Sequence, residues 1–212
     1  MIAGVEIEIR RDAVWVRSAA PLGVLASAVV GAELDATRHI VNMHVPKGYG
    51  SAHPAADLRA FARRIGIAQP FVGLMTAVFP DEARTVWEEA DGVRVGAIAT
   101  VGLSVPVAAG VTPPVALQPS TINVIVVLDA SIDRAAAVNG VITLTEAKVG
   151  ALVEAGVTSA EGAPATGTIT DAAVIAWTGR GPRLPYLGPG TAAGWCLARA
   201  VRQAVGRGIV PR

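Results

Sequence analysis

The run Ile122-Asn123-Val124-Ile125-Val126-Val127-Leu128 is β-branched and apolar at both parities apart from one asparagine. A strand of this kind buries both faces, so it is predicted to be a central strand of the sheet. Asp129 ends it. Ser131 is placed to cap a helix whose first turn holds Asp133, a favourable charge at a helix N-terminus. Ile132, Ala135, Ala136, Val138, Ile142, Ala147, Ala151, Leu152 and Ala155 then recur near the helical period and stop before Gly156. That spacing predicts a helix of about six turns over 131–155. Gly140 and the cluster Val141, Ile142, Thr143 and Thr145 are poor helix formers, so a break or a short strand near 141–145 is the alternative. Past a Gly- and Pro-containing loop, Ala165-Thr166-Gly167-Thr168-Ile169-Thr170-Asp171 precedes a further apolar strand, Ala172 to Trp177. Three hydroxyls and a carboxylate this close together make either a solvated turn or a ligand-binding edge.

Upstream, alternation in Val5-Glu6-Ile7-Glu8-Ile9 and Val14-Trp15-Val16-Arg17 predicts a β-hairpin turning near Arg11-Asp12 and covering one side of the sheet. Ala19 to Gly31 leaves strand and loop equally open. Thr37 to Val45 reads as a buried-edge strand closed by Pro46, with Asn42 and His44 sharing a face with Ile40 while His39 sides with Val41 and Met43. Pro54 to Ile65 is an amphipathic helix with Leu58, Phe61, Ala62 and Ile65 on one face. Phe71–Val78 and Val93–Val101 are apolar strands, 102–120 is a Pro-rich connection, and Thr191–Val205 is a closing helix with Leu197, Val201 and Val205 inward. The halves share a weak parallel of strand, helix and two Thr-containing apolar segments (Met75-Thr76-Ala77 and Ile98-Ala99-Thr100; Leu144-Thr145-Glu146 and Ala165-Thr166-Gly167), the pattern of an internal duplication. The expected fold is α/β (or α+β), a single domain over 1–212 with a mixed β-sheet, a central buried strand near 121–129 and packed helices.

Composition narrows the function. With 52% hydrophobic and 17% charged residues, 212 residues supply one buried core. A formal charge of +1 with scattered arginines offers no basic stripe, so no nucleic acid is expected as a partner. Val95 to Leu128 lacks charge and is long enough to span a bilayer, yet Pro106, Pro113, Pro114 and Pro119 break any such helix, so no membrane partner is expected. The charged N-terminus lacks a signal pattern, and a cytoplasmic location with a homo-oligomer as one assembly is anticipated. The single cysteine, Cys196, excludes an internal disulfide. His39 and His44 do not converge along a strand and no carboxylate cluster joins them, so no metal is assigned.

Three motifs in order, NVIVVLD from Asn123, Thr145-Glu146-Ala147-Lys148, and ATGT-x-TD ending at Asp171, resemble the adenosylcobinamide amidohydrolase (CbiZ) family of corrinoid salvage. GLMTAV from Gly73 and Arg38-His39-Ile40-Val41-Asn42 add to the resemblance, as does Tyr186-Leu187-Gly188, although the following 189–193 is less polar than the family pattern. The resemblance implies hydrolysis of the amide joining the aminopropanol arm to the corrin of adenosylcobinamide, a corrinoid substrate with no separate cofactor. Neither a G-x-S-x-G elbow nor an H-E-x-x-H helix is present. Amide hydrolysis needs a nucleophile, a proton carrier and an oxyanion stabiliser. By residue type, Glu146 or Asp171 is the base and Lys148 the oxyanion or leaving-group partner. Thr166, Thr168 or Thr170 supplies a nucleophilic or substrate-holding hydroxyl. Glu146, Lys148, Asp171 and Thr168 are therefore the catalytic candidates. Arg38, His39, Asn42, Asn123, Thr145, Thr166, Gly167 and Thr170 are the substrate-binding ones, with Asn42 and Asn123 orienting the amide. The same polar cluster serves equally in a module that binds a corrinoid without cutting it.

Overall fold

The computed structural model describes residues 1–67, 70–116 and 120–209. In chain order the elements are β1 (Val5–Ile9), β2 (Ala13–Ala26), β3 (Ala36–His44), α1 (Pro54–Arg64), β4 (Val72–Thr76), a 3-10 turn (Pro80–Glu82), β5 (Arg84–Ala90), β6 (Val93–Val101), β7 (Pro106–Val107), β8 (Ile122–Leu128), β9 (Ser131–Ile132), α2 (Arg134–Glu154), β10 (Gly167–Thr168), β11 (Ala172–Trp177), β12 (Arg183–Leu184) and α3 (Ala192–Gly208). Pro119, one of the helix-breaking prolines, lies outside the described residues.

Eight of the described strands form one mixed sheet in the order β4-β3-β2-β11-β8-β6-β5, with β1 beside the first half of β2. All seven residues of β8 are buried, and the strand lies between β11, parallel to it, and β6, antiparallel. The predicted N-terminal hairpin forms with Ile9 opposite Val14, but it extends the sheet in its own plane, because β2 runs on to Ala26 and pairs with both β3 and β11. β3 is likewise interior rather than an edge, since β4 pairs parallel along its outer side. The charged strand β5, whose alternation Glu88 and Glu89 obscure, pairs antiparallel with β6.

The sheet folds over itself. One apolar cluster joins Val14, Val16, Ile40, Val72 and Leu74 of β2, β3 and β4 to Ile98, Ile125, Val127 and Val174 of β6, β8 and β11. A second fills the space between the β6-β8 half and helices α2 and α3, and a third seats Leu58, Phe61 and Ala62 of α1 on Val41 and Met43 of β3. From one side to the other the layers are helix, sheet, sheet, helices.

α2 is continuous through Gly140, and its N-cap is Asp133, whose side chain accepts from the Ala136 amide at 2.9 Å; Ser131, the expected cap, instead sits in β9. A Cβ at position 140 would meet Leu187 Cδ1 at 3.0 Å, so glycine sets how closely the 185–190 loop approaches the helix. Val138 and Ile142, read as buried, are about half exposed, because the buried stripe runs instead through Ala136, Thr143, Leu144, Ala147, Lys148 and Ala151. Two strand-helix-strand crossovers, β3-α1-β4 and β8-α2-β11, each join a parallel pair. The internal parallel ends there, for Thr145 lies in α2 whereas Thr76 and Thr100 lie in strands.

Candidate active site

Where α2 passes the start of β11, three side chains line up. Lys148 lies on the buried stripe of α2, and its Nζ is 2.5 Å from Asp171 Oδ2. Thr168 Oγ1 donates to Asp171 Oδ1 at 2.5 Å and is 2.8 Å from the Ser120 carbonyl. The Ile122 amide, at 2.9 Å, and the Thr168 amide, at 3.2 Å from each oxygen, complete the donors around Asp171. This carboxylate is thus oriented by four donors from three segments, and side-chain exposures of 11% for Lys148 and 16% for Asp171 keep the ion pair largely out of water. Weak screening and crossed hydrogen bonds make such a pair geometrically stiff.

The chain reaches this geometry through Gly167. A Cβ there would collide with Asp171 Oδ2 and lie 2.8 Å from Lys148 Nζ, so only glycine lets the two charges meet against the backbone. Gly167 and Thr168 form β10, which pairs with Val107 and Pro106 of β7, and the Thr166 hydroxyl accepts from the Ala109 amide at 2.9 Å to tie the same ribbon. The ATGTITD segment is therefore an ordered ribbon and turn folded around its own aspartate. Thr170 Oγ1 donates to the Ser120 carbonyl at 3.0 Å.

A second polar line leads away from this turn. Thr121 Oγ1 lies 2.6 Å from Asn123 Oδ1 and 2.9 Å from the Thr170 carbonyl. Asn123 Nδ2 donates to Asn42 Oδ1 at 2.9 Å and to the Met75 carbonyl at 2.8 Å, and Asn42 Nδ2 donates to Thr100 Oγ1 at 3.0 Å. All four side chains are buried, and each is hydrogen-bonded, as polar groups between two sheet halves must be to avoid a desolvation cost. Ser120, Thr121 and Thr100 are not among the sequence candidates; for the first two, the hydroxyl pair directly before a strand that is apolar apart from Asn123 is the available signal.

A cavity of about 330 Å³ is bounded by Asn123, Thr170 and Asp171 together with Ser27, Val29 and Met75. A larger one, about 570 Å³, reaches the same stretch of chain at Ser120 and Thr121.

The structure brings together Lys148, Gly167, Thr168, Thr170, Asp171, Asn123 and Asn42, with Thr166 next to them. It does not bring in the others. Glu146 is exposed on the opposite side of α2 from Lys148, as two residues of helical rotation, roughly 200°, require. Thr145 is exposed and its hydroxyl donates back to the Val141 carbonyl at 2.8 Å. The Arg38 guanidinium donates to the Ala19 carbonyl. His39 stands against Trp15, centroids 5.6 Å apart, where burial and then the charges of Arg17 and Arg38 hold its pKa below the ordinary value. Cys196 is buried in the α2/α3 core, and burial, with the Glu88 carboxylate adding to it, pushes its thiol up, away from thiolate chemistry.

A hydroxyl bonded to a carboxylate that is itself held by an ammonium, beside a cavity, is the equipment of an acyl-transferring hydrolase. The chain belongs to the adenosylcobinamide amidohydrolase family, CbiZ, whose model matches residues 1–211. It is similar to the adenosylcobinamide amidohydrolase of Methanosarcina mazei, 29% identical over 180 residues that cover 81% of this chain and 82% of the relative. Among solved structures, the PH0078 protein from Pyrococcus horikoshii OT3 superposes with a TM-score of 0.51 over 98% of this chain and 79% of that one; at 13% identity the likeness is one of fold.

Proposed function

We propose that this chain is an adenosylcobinamide amidohydrolase, releasing adenosylcobyric acid and aminopropanol, and that Thr168, Asp171 and Lys148 carry the reaction. The family match over the whole chain supports the activity. The observation behind the residue assignment is the unbroken line of 2.5 Å contacts from Thr168 Oγ1 through Asp171 to Lys148 Nζ. It has the layout of an activated nucleophile: a hydroxyl on a proton acceptor, and that acceptor oriented by a third group.

In this reading the scissile amide enters the 330 Å³ cavity beside Asn123 and Thr170. Thr168 Oγ attacks the carbonyl carbon, and its proton passes to Asp171 Oδ1, the oxygen it already touches. Lys148 uses one N–H on Asp171 and keeps two for the developing oxyanion. As the C–N bond breaks, Asp171 returns the proton to the departing amine, which leaves as aminopropanol. Water then attacks the threonyl ester, giving a proton to Asp171 that is passed back to Thr168 Oγ as the acid leaves. Asn123, held by Asn42 and the Met75 carbonyl, fixes the cavity wall rather than moving a proton.

The test is product analysis. Incubation with adenosylcobinamide yields adenosylcobyric acid and free aminopropanol by mass; recovery of intact ligand with tight binding would instead support the non-cutting corrinoid module.

A further inference from the structure

The 570 Å³ cavity is lined by none of Asn123, Lys148, Thr168 or Asp171. Its size falls within the roughly 300–1,000 Å³ that encloses a drug-sized group, too large for a three-carbon amino alcohol and too small for a corrin macrocycle with its side chains. It is also coupled to the reacting turn, because the carbonyl of its wall residue Ser120 accepts from the Thr170 hydroxyl and lies 2.8 Å from Thr168 Oγ1, and Oγ1 of its wall residue Thr121 lies 2.9 Å from the Thr170 carbonyl. The stretch Ser120–Asn123 thus bounds both cavities, the larger at its first two residues and the smaller at its last.

At the rim of the larger cavity stands Phe79, 55% exposed. His44 is stacked on one face of the ring, centroids 4.6 Å apart and 23° between planes, and the imidazole is in turn fixed by Nδ1 to the Val78 carbonyl at 3.0 Å. The ring is therefore held from the His44 side, and it stands between this cavity and the neighbouring cleft that His44 also lines. Glu82, Ser104 and Thr158 bring a carboxylate and two hydroxyls to the same cavity, between apolar walls that include Leu103 and Val157. A fixed aromatic face, apolar walls and acceptors suited to vicinal hydroxyls together match a nucleoside. The cleft beyond Phe79, near Glu8, Arg10 and Asp81, is charge-lined and touches none of the residues that hold the threonine turn.

We infer that the cavity bounded by Phe79, Glu82, Ser104 and Thr158 receives the 5′-deoxyadenosyl ligand of the corrinoid, its adenine stacked on Phe79, so that the upper ligand is read beside the amide site. This rests on the amidohydrolase reading for the identity of the substrate. It adds Phe79 as a specificity-determining residue.

The experiment avoids turnover by using two corrinoids without the scissile amide. Dissociation constants of adenosylcobyric acid and cyanocobyric acid are measured by equilibrium dialysis for the wild type, Phe79→Ala and Phe79→Trp. Stacking of a base on an aromatic side chain corresponds to about ten- to a hundredfold in affinity. The expected result is that the wild type prefers the adenosyl form, that Phe79→Ala shrinks this preference at least tenfold, and that Phe79→Trp restores it. A preference that stays the same in Phe79→Ala, or a wild type that does not discriminate, overturns the inference. Failure of the amidohydrolase reading would show separately, as intact adenosylcobinamide in the product assay.

Discussion

Lys148 brings a charge into a helix stripe otherwise made of Ala, Leu, Gly and Thr, and Asp171 is what makes that arrangement tolerable. Removing one member of a buried pair leaves the other uncompensated, which typically costs about 3–5 kcal/mol. Lys148→Met leaves Asp171 with its two backbone amides and the Thr168 hydroxyl, so its unfolding free energy should fall by about 3 kcal/mol, at the lower end of that range. The double variant Lys148→Met/Asp171→Asn should lose less than the sum of the singles, read by denaturant titration; strict additivity would mean the pair is not coupled. Gly167→Ala tests the approach itself. Its methyl occupies the space where Asp171 and Lys148 meet, and overpacking of this kind costs about 1–3 kcal/mol, so a melting point lower by several degrees and turnover lower by about a hundredfold are expected. The types of these residues and their presence in motifs were legible in the chain, but their meeting was not. Nothing in the local sequence says that Thr168 folds back onto an aspartate three residues later, and by residue type Glu146 is as suitable a base as Asp171, its exposure on the side of α2 away from Lys148 being set by the packing of the helix.

α2 illustrates what periodicity can and cannot specify. Its length and its end at Ala155 were legible from 131–155, and its N-cap was off by two residues because Ser131 is taken into β9 by pairing with β12. Its inward face was legible at Ala136, Ala147, Ala151 and Leu152 but not at Val138 and Ile142, which are as apolar as the residues that are buried, and the small ones are chosen where α3 packs closely. β3 carries a different consequence, for His39 is pressed against Trp15 with Nδ1 buried and, among the described residues, without a hydrogen-bond partner. Its pKa lies below the ordinary 6.5, first through burial and then through Arg17 and Arg38. Between the folded and unfolded values the unfolded chain binds more protons, so stability rises with pH in that window. Acidification below about 6.5 should therefore destabilise the wild type, with the loss levelling off beneath the folded pKa. His39→Gln should remove this part of the slope in melts recorded from neutral to mildly acidic pH; an unchanged slope would show that His39 is not its source.

Across the molecule, the folded-over sheet places the ends of β3, β4, β6 and β8 around a shared polar seam of Asn42, Thr100, Asn123 and Thr121, and this seam ends at the threonine turn. A central β8 and the mixed α/β class were legible, because seven buried residues in a row leave few other positions for a strand. The fold-over was not legible, because it depends on contacts between strands more than fifty residues apart, such as Asn42 with Thr100. The seam makes the turn part of the scaffold rather than a mobile loop, which is what a preorganised nucleophile requires. Thr168 can then be tested directly by substitution and by trapping its ester. Acid quench of the enzyme turning over adenosylcobinamide, followed by intact-protein mass spectrometry, should show an adduct of adenosylcobyric acid less one water on the wild type. Thr168→Ser should retain turnover, whereas Thr168→Ala, folded and with a melting point within a few degrees, should lose at least about a thousandfold, as nucleophile removals do. Turnover by Thr168→Ala within tenfold of the wild type, with no adduct on either protein, would contradict Thr168 as the nucleophile.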